Sequence, residues 1–488
     1  MKITHLENKS HFHRSLSLLD GALLVIGSMI GSGIFIVSAD IARRVGSPGW
    51  LIAAWVITGF ITLTAALSYG ELSGMYPKAG GQYVYLREAF GKLFGFLYGW
   101  AFLAVIQTGT IAAVGVAFGK FLGYLVPSLG EENVLLGPIS VTENFQFSIH
   151  AAQLVGIGII VLLTAINTSG VKSGKWIQFI FTFAKMAAMA ALIIFGFMAF
   201  SDSTVWQGNW NGAWLAQDIS FDSASGAISK IGLDTGALIS ALCVAMVGTI
   251  FSSDAWNNVT FIAGEIKKPE RNIGLSLFIG TLVVTCLYVA MNLMYLNVLS
   301  ITEIANAEKD RVALAAALKI FGGFGTTFIA VMIMVSTFGC NNGLILSGAR
   351  VYYTMANDKL FFRRAGTLNK NGVPALALWV QCVWACVLCL SGRYGDLLDY
   401  IVFTALLFYI LTIAGVFKLR RTQPNIPRPY KAFGYPIIPA LYILMASFIC
   451  LVLLYAKPVY TWPGLVIVII GIPVYYYFQK KESAASNE

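Results

Sequence analysis

The sequence predicts an all-α membrane protein of twelve transmembrane helices, the first and sixth interrupted at mid-depth. Three observations predict it. Of 488 residues, 57% are hydrophobic and only 11% are charged, against roughly 25% charged in a soluble domain. Apolar runs of about 20 residues, the length that crosses about 30 Å of hydrocarbon, recur from end to end. Two of those runs carry small and polar residues where a spanning helix should be continuous.

The spans are expected at 18–45, 50–74, 92–126, 149–168, 175–200, 236–265, 273–299, 322–349, 374–391, 396–417, 435–456 and 461–479. The first is interrupted at Gly27-Ser28-Met29-Ile30-Gly31-Ser32-Gly33-Ile34-Phe35. Glycine costs about 1 kcal/mol in a helix interior. In lipid, irregular backbone survives only where it is buried or lines a cavity. A second interruption of this kind stands at Phe251-Ser252-Ser253-Asp254-Ala255-Trp256. Two interrupted helices in corresponding halves of a chain point to the binding site of a secondary transporter. Spans 1–5 and 6–10 overlay as such halves, and an odd number of spans per half inverts the second. The expected division is a tail at 1–17, a first repeat at 18–200, an external loop at 201–235, a second repeat at 236–417, two further spans within 418–479 and a tail at 480–488. No residue-level repeat supports the overlay; it rests on the matched interruptions and the helix count.

The net charge of +10 is a matter of topology, and no nucleic-acid partner is expected. Roughly 23 of the Lys and Arg residues fall on one side of the predicted spans, including Lys267-Lys268, Arg363-Arg364, Lys418 to Lys431 and Lys480-Lys481, which places both termini in the cytoplasm by the positive-inside rule. No cleavable signal peptide is expected, because the first apolar segment is too long for one. All seven Cys lie in apolar segments, so no disulfide framework is expected. Cys382, Cys386 and Cys389 share a helical face, where packing is the plain reading and a metal site would lack a nearby His or carboxylate. No cofactor is implied. The polar stretches 127–147, 201–234 and 300–320 are expected outside, the last two with short surface helices. After the Pro77 and Gly80-Gly81 stop, residues 83–90 are expected as an amphipathic helix on the inner surface.

A helix that stops and restarts exposes unpaired backbone groups. The restart near Gly33 offers the N–H groups of Ser32, Gly33 and Ile34 at the positive end of a helix dipole, which suits a carboxylate. Carbonyls at the ends of the first half-helices, at Met29, Ile30, Phe251 and Ser252, suit an ammonium. Together they fit both ends of a free α-amino acid. The bland alternative is close helix packing through Gly27 and Gly31. Lys185 lies about 15 Å along its helix from Lys175. An ammonium at that depth costs roughly 2.5–3.5 kcal/mol, so a partner or a task is expected. Asp254 either caps the restarting half-helix or faces the substrate side chain and favours a cation. Glu71 is read as a structural or gating charge near an inner helix end. Trp256 and Phe251 gate or pack, and Asn341 and Asn342 bond between helices or line the site.

These residues resemble the amino acid–polyamine–organocation superfamily, and within it the L-type amino acid transporter branch, over nearly the whole chain. Ile30-Gly31-Ser32-Gly33-Ile34-Phe35 is similar to its span-1 signature. Trp256-Asn257 with Gly264-Glu265-Ile266-Lys267-Lys268-Pro269-Glu270-Arg271-Asn272 is similar to its span 6 and inner loop. Tyr69-Gly70-Glu71-Leu72 with Tyr76-Pro77-Lys78-Ala79-Gly80-Gly81 resembles the end of its span 2. The resemblance implies the five-plus-five inverted-repeat fold with two extra helices, alternating access, and sodium-independent exchange of amino acids. It also implies that the backbone at Ser32 and Gly33 binds the substrate carboxylate, that the carbonyls of Met29, Ile30 and Phe251 bind the amine, and that Lys185 stands where sodium-coupled members hold a sodium ion, tied to span 1 near Gly27 to Ile30. The chain departs from the pattern at Asp254, where many L-type members have small residues; an Asp there resembles members that also carry cationic amino acids. In eukaryotic relatives an external-loop Cys binds a single-span glycoprotein. The 127–147 loop has no Cys, so no disulfide-linked glycoprotein subunit is expected.

The expected function is therefore sodium-independent exchange of neutral, and in part cationic, amino acids across the inner or plasma membrane. The alternative is a proton-coupled symporter of amino acids or amines. An enzyme would need clustered nucleophile, base or metal-ligand residues at one depth. A channel would need a polar filter. Neither pattern is present.

Overall fold

The computed structural model describes residues 14–142, 145–198, 203–221, 227–391 and 394–485. The structure is 79% helical, and among the described residues eleven helices are long and apolar enough to cross a membrane. A shorter apolar helix, Ala375–Ser391, stands at the ninth position, which completes the expected twelve. Their outward side chains are apolar: Phe183, Leu444, Leu451 and Ile469 are all exposed, as a lipid-facing surface requires.

Span 1 begins at Leu18, where Ser17 and Asp20 form a reciprocal capping box, and its first half stops at Met29. It resumes as Gly33–Ile36 and continues as Ser38–Val45, ending on Gly46 in the left-handed conformation. Span 2 is Pro48–Met75, opened by the Ser47 cap and Pro48 at its first turn. Span 3 runs from Lys92 to Leu125 with one π turn at Phe102–Ile106. Spans 4 and 5 are Ala151–Thr168 and Val171–Met198. Span 6 is Thr235–Ser252, then an interruption, then the single turn Asn258–Phe261. Spans 7 to 12 are Pro269–Val298, Val312–Asn357, Ala375–Ser391, Tyr394–Thr422, Ile437–Ala456 and Pro458–Ala485. Both interruptions fall in the stretches whose glycine, serine and aspartate content predicts them.

Two expectations need correction. Span 8 is far longer than 322–349, because a kink at Gly322 joins a helix beginning at Val312 to the span itself. The helix after the Gly80-Gly81 turn does form, as Gln82–Phe90. It does not lie on the surface: Tyr83, Val84, Tyr85 and Leu86 are all buried, because the helix packs against spans 3 and 10. The stretch 127–147 carries a hairpin, Val134–Thr142 with Phe145–His150. In 201–234 the surface helix Ser203–Trp210 is followed by a second hairpin, Gln217–Phe221 with Ile228–Gly232. In 300–320 the helix is Ile301–Ala305.

Span 2 packs along span 7, span 3 along span 4, and span 5 along span 8. The crossing of spans 3 and 4 is a close one built on Gly115, Gly119 and Gly156. A Cβ on Gly119 would stand 2.8 Å from the backbone carbon of Ala152, and one on Gly156 would stand 2.8 Å from that of Gly115. Small residues spaced by four let two backbones meet in lipid, where packing replaces the hydrophobic drive. Gly158, on another face of span 4, has open space around it. Gly119→Val is therefore expected to destabilise the folded protein by about 1–3 kcal/mol through overpacking, seen as a lower midpoint of thermal unfolding in detergent. Gly158→Ala should not lower that midpoint and should raise it slightly, because Ala is the better helix former and its Cβ meets nothing there.

Candidate functional site

The two interruptions lie against each other. A Cβ on Gly33, the first residue of the second half of span 1, would fall on the Ser252 side chain at the end of the first half of span 6. Gly33 thus permits a close approach between the two broken helices. The turn beginning at Gly33 leaves its first N–H groups without helical carbonyl partners, and the Phe35 N–H already reaches back to Ser32 O at 3.1 Å. Ser32, Gly33 and Ile34 are all buried. Positive-ended backbone of one helix therefore meets the carbonyl end of another.

Lys185 closes this arrangement from span 5. Its Nζ donates to Gly27 O and Ile30 O, each at 2.7 Å, and to Ser336 O at 3.3 Å. Three acceptors satisfy the three ammonium hydrogens. The Ser336 hydroxyl on span 8 also donates to Ile30 O at 3.1 Å. The Ile30 carbonyl is thus already engaged twice. Met29 O accepts from the Gly31 N–H at 2.9 Å, and Ser252 O stands at the end of the first half of span 6. Those two are joined by a residue that sequence reasoning missed. The Tyr288 hydroxyl on span 7 lies 2.9 Å from Met29 O and 3.0 Å from Ser252 O. One hydroxyl hydrogen serves two helix ends. Tyr295 reaches Ile34 O at 3.3 Å, and Asn292 accepts from Ser38 at 2.6 Å. Tyr288, Asn292 and Tyr295 form a polar stripe at i, i+4 and i+7, a pattern that the sequence displays and that could have revealed them.

The span 6 interruption is held open by Ala255, whose φ of 63° is rare for a residue with a Cβ. Asp254 does not cap the restarting turn, whose N-cap is Asn257. Its carboxylate accepts from the Tyr409 hydroxyl of span 10 at 2.5 Å and lines a narrow cavity with Tyr98, Phe102, Gln107, Asn257 and Asn258. The π turn of span 3 supplies Phe102 and Ile106 to that wall; such turns recur at functional sites. The cavity leaves about 10 Å³ for the centre of a water-sized sphere, room for about one water molecule. An amino acid enters only if the walls separate. Trp256 is buried edge-on against Tyr69, with ring centroids 4.7 Å apart, and lies 5.5 Å from Tyr409. Asn257 donates to Gln82 at 2.9 Å.

The remaining sequence candidates are placed elsewhere. Phe251 is buried, and its carbonyl accepts from the Asp254 N–H at 3.1 Å. Asn341 donates to Ile111 O at 3.2 Å, which ties span 8 to span 3, and Asn342 accepts from Asn167 of span 4 at 2.9 Å. Glu71 is buried in a knot with Arg420 at 2.6 and 2.9 Å, Arg428 at 3.2 Å and the Ala432 N–H at 2.7 Å. It anchors the loop between spans 10 and 11 and contributes nothing to the Asp254 cavity lining. Cys382 and Cys389 are buried in span 9 packing, and Cys386 is half-buried beside them.

A family model for amino acid permeases matches residues 16–475. The chain belongs to the amino acid permease family. Among its relatives, the serine/threonine exchanger SteT of Bacillus subtilis is 29% identical over 96% of this chain and 98% of its own length. The human large neutral amino acids transporter small subunit 2 is 29% identical over 97% of this chain and 82% of its own. The human cystine/glutamate transporter is 28% identical over 97% and 86%. The permease is thus an integral, multi-pass member of the amino acid–polyamine–organocation superfamily, and its relatives are amino acid transporters.

Replacing the Lys185 ammonium by an apolar end takes the ammonium donor from the buried carbonyls of Gly27 and Ile30 and leaves Ile30 with the Ser336 hydroxyl alone. Lys185→Met is expected to destabilise the permease by about 1–3 kcal/mol, measured as a lower midpoint of thermal unfolding. Arginine cannot restore the geometry, because a planar fork does not replace a point donor among three converging carbonyls, so Lys185→Arg should not recover stability.

Proposed function

We propose that the permease exchanges free amino acids by alternating access, without sodium, around the two helix interruptions. The observation that carries this reading is the meeting of opposite helix ends at Gly33 and Ser252. The substrate carboxylate takes the N–H groups of Ser32, Gly33 and Ile34, where partial positive charge is fixed and preorganised. The substrate ammonium takes the carbonyls of Met29, Phe251 and Ser252, displacing the Tyr288 hydroxyl. The side chain points toward the Asp254 cavity, between Trp256 and Tyr409. Asn257 and Asn341 hold the wall through Gln82 and Ile111.

Lys185 supports sodium independence. Its ammonium occupies the carbonyls of Gly27 and Ile30 that a bound cation would otherwise take. A sodium ion about 4 Å away would meet a repulsion of about 4 kcal/mol at an effective dielectric near 20. The inverted repeats 18–200 and 236–417 each contribute one interrupted helix, and movement of one half against the other opens the site to each side in turn. Glu71 steadies the inner loop during that movement. Both termini lie in the cytoplasm, and the protein works in the cell membrane without a disulfide-linked glycoprotein subunit. A carboxylate beside aromatic rings suits a cationic side chain as well as a neutral one.

Radiolabelled serine and arginine uptake into proteoliposomes, with sodium absent, tests this reading. Uptake should require an internal amino acid, and Asp254→Asn should lower the apparent affinity for arginine at least tenfold. Equal uptake into empty vesicles, driven by an imposed pH gradient, would overturn exchange in favour of proton symport.

A further inference from the structure

Asp254 is a buried carboxylate in the span 6 interruption, with no cationic side chain paired to it among the described residues. The residue is only 9% exposed. Its partners are the Tyr409 hydroxyl and the Ala255 backbone N–H, and both are neutral. The titratable groups facing it from the packed elements are tyrosines: Tyr409 on span 10, Tyr98 on span 3 and Tyr442 on span 11, with Tyr69 of span 2 beyond Tyr409. The helix 82–90 and span 8 present Gln82 and Leu344. Cations on the surrounding elements have partners of their own: Lys185 the span 1 carbonyls, Arg350 Glu265, Arg420 and Arg428 Glu71, and Arg87 Glu88 and Asp358. The cavity also holds a buried amide nitrogen, Asn258 Nδ2, with no partner among the described residues. A buried charge without a counter-ion neutralises itself or acquires a partner.

We propose that Asp254 holds a proton whenever the bound amino acid is neutral and releases it when a cationic side chain fills its cavity. This rests on the reading above that the cavity receives the substrate side chain. Both loaded forms then cross the membrane with the same charge at this site. Facing outward, the carboxyl loses its proton to water as the neutral amino acid leaves. The carboxylate then pairs with an incoming guanidinium or ammonium. Facing inward, the cationic amino acid departs, a neutral one binds, and the carboxylate takes a proton from the inner solution. Only an O–H bond breaks and re-forms. One cationic amino acid enters for one neutral amino acid and one proton that leave, and no net charge moves.

The test uses the full-length permease in sodium-free proteoliposomes loaded with serine and a lumenal pH dye, with arginine added outside. The lumen should become alkaline by one proton per arginine, and a potential-sensitive dye should stay silent. The arginine KM should rise about tenfold per pH unit below the titration of Asp254, as competition between a proton and a cation requires. Tyr409→Phe removes the hydroxyl that favours the ionised form, so the pH at which arginine affinity halves should move upward; an unmoved profile would contradict the assignment. Arginine entry that builds an inside-positive potential at constant lumenal pH would overturn the proton exchange while leaving cationic recognition standing. Vesicles that exchange serine but admit no arginine would overturn both.

Discussion

The architecture around the site depends on one interaction, the Lys185 ammonium shared between the carbonyls of Gly27 and Ile30. A helix that stops in the middle of a membrane leaves carbonyls that lipid cannot satisfy. Lys185 supplies the missing donors from span 5, and Ser336 adds one from span 8. Gly27 makes this possible sterically: a Cβ there would collide with the Gln178 and Thr182 side chains of span 5. The ammonium in turn is desolvated only because three carbonyls replace its water. Neither partner is stable in the membrane without the other, so a break in span 1 and a lysine in span 5 form one structural unit.

Given that unit, the rest follows from what a broken helix exposes. Tyr288 bridges the end of the first half of span 1 to the end of the first half of span 6, so the two interruptions are coupled through a single hydroxyl. Spans 5, 7 and 8 form a scaffold that grips span 1 through Lys185, Tyr288, Tyr295 and Ser336. The polar residues beyond Ala255 face the narrow cavity between spans 3, 6 and 10. Some of the buried polar groups meet the irregular backbone, and others, such as Asn167 with Asn342 and Thr58 with Thr249, pair between regular helices.

Much of this was legible in the sequence. Hydrophobic runs located the spans because lipid imposes both their length and their polarity, and glycine with serine located the breaks because neither belongs in a helix interior. Lys185 stood out because an ammonium at that depth needs acceptors. What sequence could not give was the partner of each group. Tyr409 lies 155 residues from Asp254 and looks like any aromatic residue in an apolar span. The burial of Gln82–Phe90 was also hidden, since Tyr83, Tyr85 and Arg87 read as an interfacial helix until spans 3 and 10 are placed beside it. The local cap reading of Asp254 failed for a similar reason: Asn257 begins the next turn, and the strained Ala255 turns the carboxylate into the cavity instead.

The most direct measurement is a structure of the permease with a bound amino acid. The account predicts density for the carboxylate within hydrogen-bonding distance of the Gly33 and Ile34 N–H groups, with Gly33 and Ser252 moved apart to admit it and Lys185 still on Gly27 and Ile30. Density for the amino acid elsewhere in the protein, with the Gly33–Ser252 contact intact, would contradict it.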